Sequence, residues 1–427
     1  MSSATTDVLG SMSDKAKETS SKQYQASGMP TLAFWFWFLT GIKTPIIFLF
    51  FQDNPQQGTL FSGLISAVLV VMLGFAWYAR RVHVKSQSPI AGKIIFVFLT
   101  WAGLTLFWTQ ADSTFTALAY WLLMASEVLA VYMLLRMGPV DETGGKSLQG
   151  IALSAVVVAF VALFLGGLSG YGRLGNEEFF HPNVIGNQMA IATLCSIYLA
   201  FSNRRKQVGA SLWIVVTGLL MITLFATLSK TSIIALGLAL PVFIFQSRIR
   251  IGRRLALMLL IIVVVASSYT STATYLNYYV NVEQSGLSLD TLSGRTVIWE
   301  QTWATIKERP LLGYGFMSYR DVGPQIIRLR LVEAHNEWLN VWFNLGAVGV
   351  VLAAALYSAY LITVLRSTWN VPNRQQAGLG LALILYALVR GLTEGNMTSL
   401  VYPLPLMLLM LAWMSQASNK IGGAGTE

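Results

Sequence analysis

Residues 148–169 read LQGIALSAVVVAFVALFLGGLS. The stretch carries no ionisable side chain, and as a helix rising about 1.5 Å per residue it covers the roughly 30 Å hydrocarbon layer of a bilayer. Lipid offers backbone N–H and C=O groups no partner, so such a run must pair them internally, which a helix does. Runs of the same kind recur in both directions, near 31–51, 59–79, 90–108, 115–135, 184–202, 211–228, 231–247, 255–274, 336–365, 377–391 and 399–416. The expected fold is an all-α membrane protein of about twelve transmembrane helices. Composition agrees: 55% of the 427 residues are hydrophobic and 11% are charged, where a soluble chain carries about 25% charged residues.

The net charge of +10 invites a nucleic-acid partner until the charges are placed. Arg80, Arg81, Lys85 and Lys93 share one connection; Arg136 and Lys146 another; Arg204, Arg205 and Lys206 a third. Arg248, Arg250, Arg253 and Arg254 follow, then Arg366 and Arg374. Connections 52–58 and 109–114, on the opposite face, hold no Lys or Arg. This is the positive-inside pattern, and it sets both termini in the cytoplasm of an inner-membrane protein. No nucleic acid is expected. Residues 1–29, rich in Ser, Lys and Thr, read as a disordered cytoplasmic tail rather than a secretory leader. Residues 417–427 read as a second tail.

Between spans 30–274 and 336–416 lies one long connection, 275–335, on the outer, periplasmic face. Loops of that length inside a compact fold are usually functional. Thr296, Trp299, Trp303 and Ile306 recur at helical spacing, with Ser293-Gly294 as a start and Pro310 as a stop, so the loop is expected to be partly helical. A shorter outer loop, 170–183, reads GYGRLGNEEFFHPN.

The outer face carries a small inventory of chemistry. The chain has three histidines. His83 lies in a basic cytoplasmic loop; His181 precedes Pro182 at the mouth of a span; His335 ends the long loop in EAHNEWLN. His335 reads either as an interfacial residue at a helix start or as a base. A helix N-terminus disfavours imidazolium and leaves a proton-accepting ring, whereas Glu333 or Glu337 beside it would raise its pKa. Arg295, in the first turn of the loop helix, opposes the helix dipole; with free N–H groups it suits a phosphate, unless it is merely solvated. Lys230 occupies a short outer turn, TLSKTS, where a cation is snorkelling, paired or binding. Arg173 offers a further cation, or a salt bridge to Glu177 or Glu178. Arg320 and Asn336 complete the candidates.

Absences narrow the chemistry. The outer face has no DxD pair for a metal-bound nucleotide sugar, no Walker loop for a nucleotide, and no zinc ligand set. The single cysteine, Cys195, lies within an apolar run. No metal or cofactor is expected. Separated cations around a neutral histidine suit a diphosphate leaving group and a hydroxyl nucleophile.

The ordered segments GYGRLGNEEFFHPNVIGNQ, TLSKTS, LSGRTVIWEQTW, LLGYGF and AHNEWLN resemble the O-antigen ligase and polymerase superfamily. By motif the resemblance covers about residues 170–345; by hydropathy, the whole chain. It implies a GT-C-like, metal-independent, inverting glycosyltransferase. The implied donor is an undecaprenyl-pyrophosphate-linked glycan, and the site faces the periplasm. By similarity His335 takes the place of the family's loop-end histidine and Arg295 that of its loop arginine, with Arg173 and Lys230 as further pyrophosphate ligands. Lys230 departs from the arginine many members carry, keeping charge and losing the bidentate fork. The twelve-span layout and HNEWLN ending resemble ligases, whose acceptor is lipid A-core oligosaccharide, more than polymerases or protein O-oligosaccharyltransferases. A twelve-helix transporter is the alternative of another class, with Lys43 beside Pro45 as its best feature.

Overall fold

The structure is a computed structural model that describes residues 29–51, 55–79, 90–168, 172–176, 180–202, 207–247, 295–327, 333–370, 374–395 and 403–422. The expected span at 255–274, His83, Glu177, Glu178, the tail up to residue 28 and loop residues 275–294 and 328–332 lie outside them.

Helices run α1 Met29–Gly41, α2 Lys43–Phe50, α3 Pro55–Ala79, α4 Ile90–Leu104, α5 Thr114–Met137, α6 Val140–Leu165, α7 Pro182–Ser202, α8 Gln207–Thr227 and α9 Lys230–Gln246. They continue as α10 Arg295–Ile306, α11 Tyr319–Ile327, α12 Glu337–Asn370, α13 Arg374–Gly391 and α14 Pro403–Gly422. Each expected span, where it falls within the described residues, is helical, with interruptions at Ile42 and Gly346. Six are long and apolar enough to cross a membrane, or seven if the bent α1–α2 pair is one span. Gly92–Trp108, Lys230–Gln246 and Pro403–Ser415 are shorter apolar helices. Among the described residues the regular structure is helical, and several of its helices are of membrane-spanning length and apolarity, as in a multi-pass membrane protein.

The most enclosed helix is α7, 94% buried over its apolar window, against 17% for α3 at the periphery. It packs on α6, α8, α9 and α13, and its first turn lies at the candidate site. α1 and α2 bend by 41° around Ile42, where Gln188 of α7 donates to the buried carbonyl of Gly41 at 2.8 Å. Lys43, just past the bend, is buried and pairs with Glu127 of α5 at 2.6 Å and with Ser66 of α3. A buried ammonium is tolerable only when so paired, and this pair fastens three helices at the break.

The long loop is anchored on α12. That helix breaks at Gly346 (φ 68, ψ −172), and four of the backbone groups around the break find partners outside it. Tyr314 N–H donates to Phe343 O and Gly315 N–H to Asn344 O, both at 2.8 Å. Ala347 N–H donates to Pro310 O at 2.9 Å, and Trp101 Nε1 of α4 donates to Leu345 O at 2.9 Å. The LLGYGF segment is therefore the dock of the loop.

The loop helix α10 lies where expected, but its buried stripe differs from the Thr296, Trp299, Trp303 and Ile306 series. Ile298, Thr302, Thr305 and Ile306 face inward. Thr302 is accepted because its hydroxyl meets Tyr319 OH at 3.0 Å. Trp303 stays 39% exposed, edge-on to Trp342.

Candidate active site at converging helix starts

Four helix N-termini present the residues singled out above. His181 stands immediately before α7, Lys230 opens α9, Arg295 opens α10, and His335-Asn336 precede α12. Each start exposes N–H groups and a partial positive charge.

Three of these starts, those of α7, α10 and α12, meet at Glu394, just past the end of α13. Its carboxylate is almost fully buried, 3% exposed. Oε1 accepts from Arg295 Nη2 at 2.6 Å and from Asn183 Nδ2 at 2.9 Å. Oε2 lies 3.4 Å from His335 Nδ1. Asn183 in turn accepts from Arg173 Nη2 at 2.6 Å, and Arg173 Nε donates to Thr227 O at 3.1 Å. Arg173, Asn183, Glu394, Arg295 and His335 thus form one connected network. Arg390, one turn earlier on α13, donates to Gly395 O at 3.1 Å and adds a buried positive charge.

Lys230 is exposed, and its turn adjoins this network. Leu228 there holds a left-handed φ of 51, an unfavourable conformation for a bulky residue. Gly186 of α7 approaches the turn so closely that a Cβ on it would lie 2.6 Å from Ser229 Cβ.

His335 is also left-handed, φ 48. Trp299 of α10 clamps it, its Nε1 donating to the carbonyls of Ala334 (3.2 Å) and His335 (3.3 Å). Trp299 is therefore a brace. Asn336 caps α12, Oδ1 accepting from Leu339 N–H at 3.1 Å, while its Nδ2 donates to Leu392 O at 3.0 Å; it ties the His335 turn to the Glu394 turn. Arg320 is placed elsewhere, donating to Tyr120 of α5 at 3.3 Å and lying over that ring.

Electrostatics sort the titratable groups. Burial would raise the Glu394 carboxyl, yet the His335 hydrogen bond and the charges of His335, Arg390 and Arg295 hold it far below the ordinary carboxylate range. Burial would lower His335, but the hydrogen bond and charge of Glu394, then the charge of Glu333, outweigh it and raise the pKa. The carboxylate effect wins over the helix start. Glu333, 3.6 Å from His335 Nδ1, is pushed up to about 7 by burial and by the Glu394 charge. His181 is lowered to about 4 by burial and by Arg173.

One oxygen or nitrogen from each of Glu333, His335 and Glu394 lies within 4.8 Å of the others, a spacing that a metal ion could bridge. The set is already compensated, because Arg295 sits on Glu394. Chemically, the site offers a carboxylate-oriented imidazole, guanidinium groups and helix N-termini, which suits proton abstraction beside an anion.

Asn183 and Glu394 were missed by sequence reasoning. The available signals were an acid at the end of an apolar run, four residues after Arg390, and an Asn in the first turn after His181-Pro182.

Comparison with known proteins adds one partial match. No curated protein matches the chain. Residues 213–354 match the family model described as O-Antigen ligase, a stretch that includes Lys230, Arg295 and His335 and leaves out Arg173, His181 and Glu394. The match spans about a third of the chain and makes that stretch similar to the O-antigen ligase family.

Proposed function

We propose that the protein is an O-antigen ligase of the bacterial inner membrane. It moves a glycan from undecaprenyl pyrophosphate to a sugar hydroxyl of lipid A-core at the periplasmic face, with inversion and without a metal. The twelve-span layout with one large periplasmic loop belongs to this reading. The observation that carries it is the Glu394 carboxylate, which joins the oriented His335 to Arg295 and, through Asn183, to Arg173.

Glu394 fixes the tautomer of His335. With Nδ1–H directed at the carboxylate, the lone pair is on Nε2 and is open to a proton. The acceptor hydroxyl oxygen attacks the anomeric carbon from the face opposite the diphosphate, and its proton passes to Nε2. The bond from that carbon to the phosphate oxygen breaks, and the electron pair leaves with undecaprenyl pyrophosphate. Arg295, Arg173 and Lys230, with the helix starts behind them, offset the charge that grows on that leaving group. Replacing Glu394 by the arriving diphosphate as a partner frees the Arg295 fork to turn towards substrate.

The test is purified protein with carrier-linked glycan and lipid A-core, resolved on a gel. A single shift of lipid A-core is expected; a growing ladder on the carrier marks a polymerase, transfer to Ser or Thr a protein O-oligosaccharyltransferase, and no product favours transport. In the same assay His335→Ala is expected to lower transfer by roughly a thousandfold, the scale of a lost general base, with the folded protein retained by size exclusion. Wild-type transfer by that variant would remove His335 from the chemistry.

Exhaustive chelation is expected to leave the transfer rate unchanged. Loss on chelation, restored by one divalent ion, would instead make Glu333, His335 and Glu394 a metal site.

A further inference from the structure

We propose that His181 is a fixed, uncharged hydrogen-bond donor to the donor lipid's diphosphate, its Nε2–H completing the anion site that Arg173 and Arg295 flank. The proposal rests on the glycosyl-transfer reading above for the identity of the ligand, and on the geometry of α7 for the state of the ring.

His181 is the N-cap of α7. Its carbonyl accepts from Val184 N–H at 2.9 Å and Ile185 N–H at 3.1 Å, and Pro182 fills the first helical position, where a missing N–H costs nothing. The side chain does the capping as well: Nδ1 accepts from Asn183 N–H at 3.1 Å. An N-cap is normally Ser, Thr, Asp or Asn, whose oxygen accepts from an early N–H. Here an imidazole does so, and the substitution has a consequence for its proton. A nitrogen that accepts from an N–H carries no proton, so in the neutral ring the proton stands on Nε2.

Protonation of Nδ1 would place two donors face to face at the positive end of a helix. The charged neighbours act in the same direction for the most part: Arg173 from the outer loop and His335 from the start of α12 disfavour the cation, while Glu394 after α13 favours it. Burial, the largest of the effects, also disfavours the cation, and together they lower the ring to about 4. Its one lone pair is held by the cap, so His181 cannot serve as a base. What it has to offer is Nε2–H, which makes no hydrogen bond among the described residues.

The two histidines of the site thus carry opposite tautomers. His335 turns Nδ1–H to Glu394 and keeps the Nε2 lone pair; His181 spends the Nδ1 lone pair on its helix and keeps Nε2–H. The acceptor for such a donor is an anionic oxygen. Asn183, the next residue but one, already joins Arg173 to Glu394, and the ring lies close enough to Arg173 to feel its charge, so it stands next to one of the cations assigned to the diphosphate. A neutral donor recognises a phosphate oxygen without holding the product by another full charge.

The experiment uses the full chain in nanodiscs, with undecaprenyl pyrophosphate bearing no glycan as the probe. His181→Ala is expected to weaken binding roughly tenfold, as for one hydrogen bond to a charged acceptor. His181→Gln, which loses the same cap but restores an N–H near Nε2, is expected to recover most of it. The ratio of wild type to His181→Ala is expected to stay constant between about pH 6 and 8, because a ring lowered to about 4 does not titrate there. Nitrogen-15 spectra of the histidine-labelled protein, which has three histidines, should show a protonated Nε2 for His181 and an unprotonated Nδ1. Equal binding by His181→Ala, a loss equal in both variants, a ratio that changes with pH, or a protonated Nδ1 would each overturn the proposal. Failure of the wild type itself to bind the lipid would overturn the donor reading, while the spectra would still decide the ring's state.

Discussion

Glu394→Gln is expected to lower transfer by about a hundredfold or more and to move the rising limb of the pH–rate profile to lower pH. The side chain receives Arg295, Asn183 and His335 at once. Glutamine keeps the volume and one acceptor oxygen but loses the charge that holds both cationic partners. Misplacement of a reacting group by about 1 Å is enough for a hundredfold loss. The pH shift has a definite sign. Glu394 raises the pKa of His335 by its hydrogen bond and its charge. Without the carboxylate the imidazolium is less favoured, the pKa falls, and the neutral base is available at lower pH. Glu333→Gln should move the limb the same way by a smaller amount, since Glu333 ranks below Glu394 among the causes. A Glu394→Gln enzyme with the wild-type rate and an unmoved limb would detach the carboxylate from the chemistry.

The same network makes stability depend on pH in two opposed ways. Glu394 has a lowered pKa, so its contribution is present above the unfolded carboxylate value and is lost as pH falls. His335 and Glu333 are raised, so theirs is present at low pH and is lost as pH rises, for Glu333 through about 7.

Helix positions were legible because lipid leaves the backbone one economical solution, and an apolar run announces it. The same logic hid the site's centre. Glu394 follows the apolar run of α13, and a single acid there looks like any boundary charge until the fold brings Arg295 to it from 99 positions away in the chain. His335 and Arg295 were legible because each broke a local rule, a cation in a first helical turn or an imidazole at a loop end. Asn336 looked like part of a motif and proves to be a cap tied to the Leu392 carbonyl. Arg320 had the right charge and the right loop, but α11 carries it to Tyr120. The helical spacing announced α10 but not its inward face, because the burial of Thr302 depends on a hydroxyl partner in α11.

Gly346→Ala is expected to destabilise the protein by about 4 kcal/mol or more and to lower transfer with it. Its φ of 68 and ψ of −172 fall in a region open essentially to glycine alone, with a strain of roughly 1–3 kcal/mol for other residues. Space is the larger obstacle: a Cβ there would lie 2.1 Å from Leu311 O and 2.5 Å from Leu311 C. Both are backbone atoms, so the LLGYGF segment must retreat. Retreat breaks the bonds that Tyr314, Gly315 and Pro310 make to the opened turn of α12, and each buried group left unpaired costs about 1–3 kcal/mol. The loop helix would lose its seat, and with it Trp299 would leave the His335 carbonyl and Arg295 would leave Glu394. Thermal unfolding in detergent and proteolysis of the α9–α12 connection measure the first effect, and the transfer assay the second. Gly237→Ala in α9 is the control: a Cβ there meets nothing within 4 Å, so a change of no more than about 1 kcal/mol, in the stabilising direction, is expected. A Gly346→Ala protein that melts with the wild type and resists protease equally would mean that the loop is held to the bundle by other contacts than this break.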